Sequence, residues 1–185
     1  DQVLATLSTD QTSIDYGSTL NLQGVLTLAD KTPIPGTLVH LEARGDNDPN
    51  WREITTFNTN SDGSLNSPII LGSNQSLRLR SDGTWDRMEG ISNSTAIIIR
   101  PIVNFQSPSA VRANRFFEIS GNVLPASPGA IYLERFDGVW KQVASTAIDG
   151  NGAFEFTYKA DSGPFMKFRI NASGTQSRIF TISVT

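Results

Sequence analysis

The segment WREITTFNTNSDGSLNS at positions 51–67 is repeated in outline by WKQVASTAIDGNGAFEF at positions 140–156. Four pairs of similar residues are each separated by 89 positions: Trp51 and Trp140, Gly63 and Gly152, Leu65 and Phe154, and Arg80 and Arg169. A constant spacing that includes tryptophan and glycine indicates an internal duplication, which decides the architecture. The sequence therefore predicts two copies of one domain, over residues 1–101 and 102–185.

Within each copy, apolar residues recur at every second position. In TLNLQGVLTL, the side chains of Leu20, Leu22 and Leu26 fall on one face and mostly polar side chains fall on the other. The segment RFFEISGNVL repeats this alternation in the second copy. Such a period, interrupted by Gly, Pro, Asn and Asp turns, is typical of half-buried antiparallel strands. We expect an all-β fold of two tandem immunoglobulin-like antiparallel β-sandwiches with about seven strands each.

Composition narrows the classes of function. The net charge is −3 with scattered basic residues, so the sequence favours neither nucleic acid nor an anionic membrane as a partner. No apolar run has the roughly 18–20 residues of a membrane span, so we expect no membrane insertion in this segment. Cysteine is absent, which excludes disulfides, thiol nucleophiles and Cys-ligated metals. No cofactor is expected.

The order of these motifs resembles a known family. The strings YGSTLNLQGVL, PIPGTLVHLEAR, NSDGSL and LRLRSDG are similar to bacterial Ig-like modules of secreted and cell-surface proteins, and ISGNVLPASPGAIYLERF and IDGNGAFEF follow the same order in the second copy. They are similar also to carboxypeptidase-regulatory-like sandwiches. The resemblance covers nearly the whole chain and carries over no catalytic residue. It implies a spacer, stalk or adhesive module in a larger secreted or extracellular cell-surface protein.

Two Asp–Gly segments at matching positions suggest either calcium ligands or hairpin turns. They are residues 61–63 and 149–152. Asn, Asp and Gly supply the positive φ angles of tight turns, and no bidentate Glu follows at the spacing that a calcium loop needs. The turn is the favoured interpretation.

A second group of oxygen-bearing side chains, Asp46, Asp48 and Asn50, matches the opening of an EF-hand loop. Trp51 occupies the position that needs Gly, and Phe57 the position that needs Glu, so the EF-hand pattern fails. These three residues remain weak candidates for a metal site of another kind.

His40 is the only histidine and alternates with apolar neighbours, which predicts a solvated histidine on the outer face of a strand. A general base needs a nucleophile or an orienting carboxylate, and the sequence indicates neither. We therefore expect that the protein is not an enzyme. Trp51 and Trp140 share one position in both copies, which predicts a repeated packing role.

Trp85 has no counterpart in the second copy. The stretch around it spans 17 positions from Arg80 to Ile97, against 11 from Arg169 to Phe180. An aromatic side chain on such a loop can stack on a sugar or anchor a protein partner. The candidate ligand-binding residues are Trp85, Asp86 and Arg87, with Pro33, Ile34 and Pro35 of an adjoining loop. In the alternative interpretation, Trp85 folds back onto Pro33, Ile34 and Pro35.

Two functions from different classes follow from these patterns. The favoured one is a monomeric, non-catalytic spacer that presents other domains of the parent protein. The alternative is adhesion, with a glycan or protein ligand bound at the Trp85 loop; this function requires Trp85 to be exposed beside an apolar patch.

Overall fold

The structure is a computed structural model that describes all 185 residues, Asp1–Thr185, and its regular elements are all strands. The first nine are β1 (Val3–Thr9), β2 (Ser13–Asp15), β3 (Thr19–Leu28), β4 (Leu38–Arg44), β5 (Arg52–Asn58), β6 (Ser64–Ile70), β7 (Gln75–Ser81), β8 (Gly90–Ile91) and β9 (Thr95–Arg100). The next nine are β10 (Ile102–Gln106), β11 (Ala110–Val111), β12 (Phe116–Leu124), β13 (Gly129–Asp137), β14 (Val139–Ile148), β15 (Ala153–Lys159), β16 (Phe165–Ala172), β17 (Thr175–Gln176) and β18 (Phe180–Val184). No helix is present that could cross a membrane.

The chain divides into two compact units, unit 1 over Asp1–Ile99 and unit 2 over Arg100–Thr185. In unit 1, a three-stranded sheet in the order β1-β3-β6 faces a sheet in the order β2-β9-β7-β4-β5, with β8 beside β7. In unit 2, β10-β12-β15 faces β11-β18-β16-β13-β14, with β17 beside β16. Each unit thus has seven principal strands and two short ones. The predicted all-β fold of tandem Ig-like sandwiches is confirmed.

Apolar side chains between the two sheets form a separate core in each unit. Leu20, Leu22 and Leu26 of β3 are fully buried, as the period-two pattern predicts. The core of unit 2 is richer in aromatic residues, with Phe117, Phe156 and Phe168 packed among its aliphatic side chains. Each unit therefore buries its own apolar faces without a disulfide, since the chain has no cysteine.

A glycine lies at the centre of each three-stranded sheet. Gly24 pairs with Leu7 and Leu65, and Gly121 pairs with Phe105 and Phe154. A Cβ at Gly121 would overlap the backbone of β10, and one at Gly24 would overlap the side chain of Leu79. The glycine thus leaves room for large neighbours, which explains its presence in a strand interior that otherwise disfavours it.

A β-bulge also recurs in both units. The pairing of β4 with β5 shifts between Leu41 and Glu42, and the pairing of β13 with β14 shifts between Leu133 and Glu134. Because one extra residue on β5 or β14 is left unpaired there, both edge strands bend at the same place. The duplication therefore extends to an irregularity of the backbone.

The matching of Arg80 with Arg169 at the constant spacing of 89 is wrong. Glu42 pairs with Arg78, and Glu134, at the same place after the bulge, pairs with Arg169. Arg169 therefore corresponds to Arg78. Arg78 follows Leu65 by 13 positions, whereas Arg169 follows Phe154 by 15, so the second copy has two additional residues before this arginine. A shift of two residues leaves every side chain on the same face of a strand, so alternation could not reveal it.

The Gly121→Ala substitution tests the close packing in unit 2. We expect it to lower the free energy of unfolding of this unit by about 1–3 kcal/mol, because the added methyl group meets backbone atoms of β10 that cannot move independently. Gly24→Ala should lower the free energy of unfolding of unit 1 by less, since the added methyl group meets leucine side chains, which are flexible. Urea unfolding followed by amide NMR signals of each unit measures both effects. Gly150→Ala, where no atom lies within 4 Å of the new methyl group, is the control; an equal cost for Gly150→Ala and Gly121→Ala would contradict this explanation.

Candidate functional site

The loop that carries Trp85 joins β7 to β8 and consists of the eight residues 82–89, here called the Trp85 loop. In unit 2, the connection between β16 and β17 is the two-residue turn Ser173–Gly174, in which both residues have positive φ angles. A tight hairpin turn in unit 2 therefore corresponds to an extended loop in unit 1. This loop is one of two large departures of unit 1 from the repeated architecture; the other is the connection between β4 and β5, which has seven residues against one between β13 and β14.

Hydrogen bonds fix the conformation of the Trp85 loop while its tryptophan points into solvent. The Thr84 amide donates to the Arg87 carbonyl at 2.8 Å, and the Met88 amide donates to the Asp1 carbonyl at 2.8 Å. The Thr84 hydroxyl donates to the Asp86 carboxylate at 2.6 Å. Trp85 is nevertheless 97% exposed, so its large apolar surface is presented to solvent by a structured loop.

The alternative in which Trp85 folds back onto the adjoining loop is wrong, because Trp85 has almost no buried surface. Arg87 and Ile34 instead line the same small cavity between the two loops. Ile34 is 3% exposed and belongs to the core, so its side chain does not reach the surface. Pro33, Pro35 and Asp86 are exposed, and Arg87 is half-buried.

A network of charged side chains lies at the base of the Trp85 loop, on the outer face of β4, β5 and β7. Arg80 binds Asp82, its Nη1 lies 3.5 Å from Glu89 Oε1, and its Nε donates to Glu42 Oε1 at 2.8 Å. His40 Nδ1 lies 2.5 Å from Glu53 Oε2, and His40 Nε2 lies 3.1 Å from Asp82 Oδ2. We call His40, Glu53, Arg80, Asp82 and Glu89 the loop-base cluster.

The predicted solvated environment of His40 is wrong. The side chain lies on the outer face as expected, but the residue is only 9% exposed. Burial by itself lowers the pKa of His40, and the hydrogen bonds with Glu53 and Asp82 outweigh it, so the pKa lies above its ordinary value of 6.5. The sequence could not show this, because Glu53 and Asp82 are 13 and 42 positions away from His40.

Glu42 is the most buried carboxylate of this face and is shared by two guanidinium groups. Its side chain is 10% exposed, and it accepts hydrogen bonds from Arg78 Nε at 2.7 Å and from Arg80 Nε. Burial raises the pKa of Glu42, and the bonds from Arg80 and Arg78 outweigh it and bring the pKa below its ordinary value. Unit 2 repeats the arrangement with Glu134 and Arg169, whose Nε donates to Glu134 Oε2 at 2.5 Å.

The predicted packing role of Trp51 and Trp140 is confirmed. The Trp51 ring lies under the guanidinium groups of Arg78, at 4.3 Å, and Arg44, at 4.8 Å. Trp140 lies under Arg169 at 4.4 Å. Each tryptophan therefore stacks on an arginine that pairs with Glu42 or Glu134, a cation–π contact that holds the salt bridge in place.

The two Asp–Gly segments form hairpin turns, as predicted. Gly63 and Gly152 have φ angles of 75° and 87°, in the left-handed region that tight turns use. Asp62 Oδ1 accepts the amide and the hydroxyl of Ser64, and Asp149 Oδ1 accepts the amides of the residues two and four positions on. These carboxylates therefore stabilise the turns.

The candidate metal ligands Asp46, Asp48 and Asn50 lie on the loop between β4 and β5. Asp48 accepts the Asn50 amide at 2.9 Å and forms a salt bridge with Arg52 at 3.0 Å, so its carboxylate stabilises the loop. The structure brings together no group of three or more His, Cys, Asp or Glu side chains that could hold a metal ion.

A buried serine after β8 and its counterpart after β17 form a motif that the sequence analysis missed. Ser92 Oγ accepts the Leu79 amide at 2.9 Å, and Ser177 Oγ accepts the Ile170 amide at 2.9 Å. Each serine amide donates back to the carbonyl of the same partner, and each hydroxyl donates to the carbonyl of the next residue. When the two serines are aligned, the segments GISN (90–93) and TQSR (175–178) have only the serine in common, so the sequence gives no signal for this motif.

No protein-family model and no curated protein matches the chain. Two solved structures align with almost all of it. The adhesin InvE of Yersinia pseudotuberculosis has 13% identity and a TM-score of 0.44, covering 98% of this chain and 58% of that one. A C-terminal fragment of intimin, solved in complex with the intimin-binding domain of its translocated receptor, has 9% identity and a TM-score of 0.47, covering 96% and 62%. The chain thus spans about three fifths of either structure. Both TM-scores are low, so the fold assignment rests on the sheet order described above.

The Glu42→Gln substitution tests the shared salt bridge. We expect it to lower the free energy of unfolding of unit 1 by roughly 2–4 kcal/mol at neutral pH, because two arginines lose the charge of a buried partner. Since the folded pKa of Glu42 is lowered, its contribution is present above the ordinary carboxyl pKa and is lost as the pH falls through the lowered value. Urea unfolding at neutral pH and at about pH 3 measures the difference.

The difference in the free energy of unfolding between the wild type and Glu42→Gln should therefore be smaller at acidic pH. Glu118→Gln, which changes an exposed glutamate on β12, serves as the control and should have little effect at either pH. A Glu42→Gln effect that is independent of pH would contradict the electrostatic explanation.

Proposed function

We propose that this chain is a non-catalytic pair of Ig-like modules in a larger secreted or cell-surface bacterial protein, where it spaces and presents neighbouring domains. The observation that carries the proposal is the repetition of the whole architecture, including the bulge, the central glycine, the buried serine and the Trp–Arg–Glu stack. Features that recur in both units stabilise the sandwich itself, which is what a repeated structural module requires.

The environment of the sole histidine supports a non-catalytic role. Both imidazole nitrogens of His40 are engaged by carboxylates, Nδ1 by Glu53 and Nε2 by Asp82. A general base must have a free nitrogen within reach of the proton it takes from a substrate. The charged groups around His40 therefore act as a structural network on the outer face of the sheet.

A second candidate function, adhesion, is favoured by the exposure of Trp85. A tryptophan presented by a structured loop can bury most of its surface against a partner without reordering of the backbone, and such residues are frequent hot spots of protein interfaces. Pro33 and Pro35 are exposed on the adjoining loop, and the exposed carboxylate of Asp86, the residue after Trp85, can accept hydrogen bonds. The ligand classes that suit this surface are a glycan, stacked on Trp85, or a protein.

Trp85→Ala distinguishes the two candidates. If the loop is adhesive, titration with cell-wall polysaccharides or host matrix proteins should give a saturable change in tryptophan fluorescence that the variant loses. Because Trp85 is 97% exposed, the substitution should change the free energy of unfolding by no more than about 0.5 kcal/mol.

Met88→Ala is the matched control, since Met88 is exposed on the same loop. The substitution leaves the hydrogen bond from the Met88 backbone amide to the Asp1 carbonyl unaffected. A loss of binding in Trp85→Ala but not in Met88→Ala would identify Trp85 as the contact. A wild-type protein that gives no signal with any of these ligands would count against adhesion and leave the spacer function as the conclusion.

A further inference from the structure

The loop-base cluster is present only in the unit that has the long loop. In the register of the sheets, His40 pairs with Arg80 across β4 and β7, and Tyr132 pairs with Asn171 at the corresponding place in unit 2. The cluster therefore accompanies the Trp85 loop and is absent where a two-residue turn makes the same connection. This coincidence indicates that the cluster serves the loop rather than the sandwich.

The arginine of the cluster joins the two ends of the loop. Asp82 is the first residue of the Trp85 loop and Glu89 is the last. One nitrogen of Arg80, Nη1, faces the carboxylates of both. Arg80 is itself anchored on the sheet by its bond to Glu42. The guanidinium group thus closes the base of the loop and ties it to β4.

The histidine of the cluster adds a link that depends on its proton. An imidazolium donates from both nitrogens, whereas a neutral imidazole has one donor and one acceptor. Because His40 lies between the carboxylates of Glu53 and Asp82, it can donate to both only when protonated. Loss of the proton leaves one carboxylate facing a lone pair, so the link from β5 through His40 to the start of the loop weakens.

We propose that Arg80 and His40 are positioning residues that hold the base of the Trp85 loop, and that the loop is most ordered, and binds best through Trp85, while His40 carries a proton. This inference rests on the adhesive function proposed above and names its regulation. The ligand would bind at Trp85 and Asp86. The loop-base cluster acts on this site through the backbone of the loop.

The charged groups that face His40 define the pH range. They are Glu53 on β5, Asp82 at the start of the loop, Arg80 on β7 and, through Arg80, Glu42 and Glu89. Although burial lowers it, the two carboxylates raise the pKa of His40 above 6.5; the bonds from Arg80 and His40 lower the pKa of Asp82 below 3.8. His40 and Asp82 are both charged between these two values, and the link is lost as the pH rises through the raised pKa of His40.

The experiment is a pH titration of the free 185-residue chain by NMR, followed through the His40 imidazole and the backbone amides of residues 83–88. Since the chain has one histidine, the imidazole signals need no assignment by mutation. We expect loop order parameters near those of rigid backbone, about 0.85, to fall toward about 0.6 as His40 loses its proton. His40→Gln should show the lower values throughout and no pH dependence in the neutral range.

Two arginine variants provide a matched comparison. Arg80→Gln and Arg78→Gln each remove one of the two guanidinium groups on Glu42, but only Arg80 contacts the loop. We expect Arg80→Gln to loosen residues 83–88 and Arg78→Gln to leave their order unchanged. If His40→Gln does not fold, Glu53→Gln removes the same link from an exposed partner.

The proposal is overturned if the imidazole titrates while the loop amides keep the same order, or if Arg78→Gln loosens the loop as much as Arg80→Gln. These results do not involve a ligand, so the failure of the positioning role and the failure of the adhesive function are separate. A loop whose order follows His40, in a protein that binds no tested polysaccharide or matrix protein, supports the positioning role and contradicts adhesion. Binding that is lost in Trp85→Ala but is equal on both sides of the His40 titration supports adhesion and contradicts the regulation.

Discussion

Each unit depends on the burial of two apolar sheet faces against each other, without covalent assistance. The fully buried leucines of unit 1 and the aromatic side chains of unit 2 fill the space between a three-stranded sheet and a larger one. Truncation of one such leucine to alanine typically costs about 2–5 kcal/mol, which is a large part of the roughly 5–15 kcal/mol by which a native domain is stable. The close approach over Gly24 and Gly121 is part of this constraint, because a methyl group at either position would separate side chains or backbone that now touch.

The outer faces of the larger sheets have a different organisation, based on charge. Glu42 and Glu134 are each held by arginine, and the arginine stacks on a tryptophan at the same place in both units. Unit 1 extends this network through Arg80 and His40 to the base of the Trp85 loop. A structural feature common to both units is thus adjacent to a surface loop that only unit 1 has in extended form.

Local patterns were sufficient to predict the fold but not the pairing of distant side chains. Period two placed Leu20, Leu22 and Leu26 in the core, and the Asp–Gly segments predicted the turns. The same periodicity concealed the two-residue offset that relates Arg169 to Arg78, because faces repeat every two residues. The exposure of Trp85 and the burial of Ile34 both required the structure. So did the partners of His40, because Glu53 lies on another strand and Asp82 lies on the Trp85 loop.

The repeated bulge has a consequence for how these molecules behave at high concentration. β5 and β14 are edge strands of the larger sheets, and an unpaired edge is a template on which a strand from another molecule can add. A bulge twists the edge and interrupts its regular row of amide and carbonyl groups, and Pro68 removes an amide from the edge strand β6. These features disfavour the addition of a strand from another molecule at the open edges of the sheets. They therefore reduce aggregation when many copies are at high local concentration.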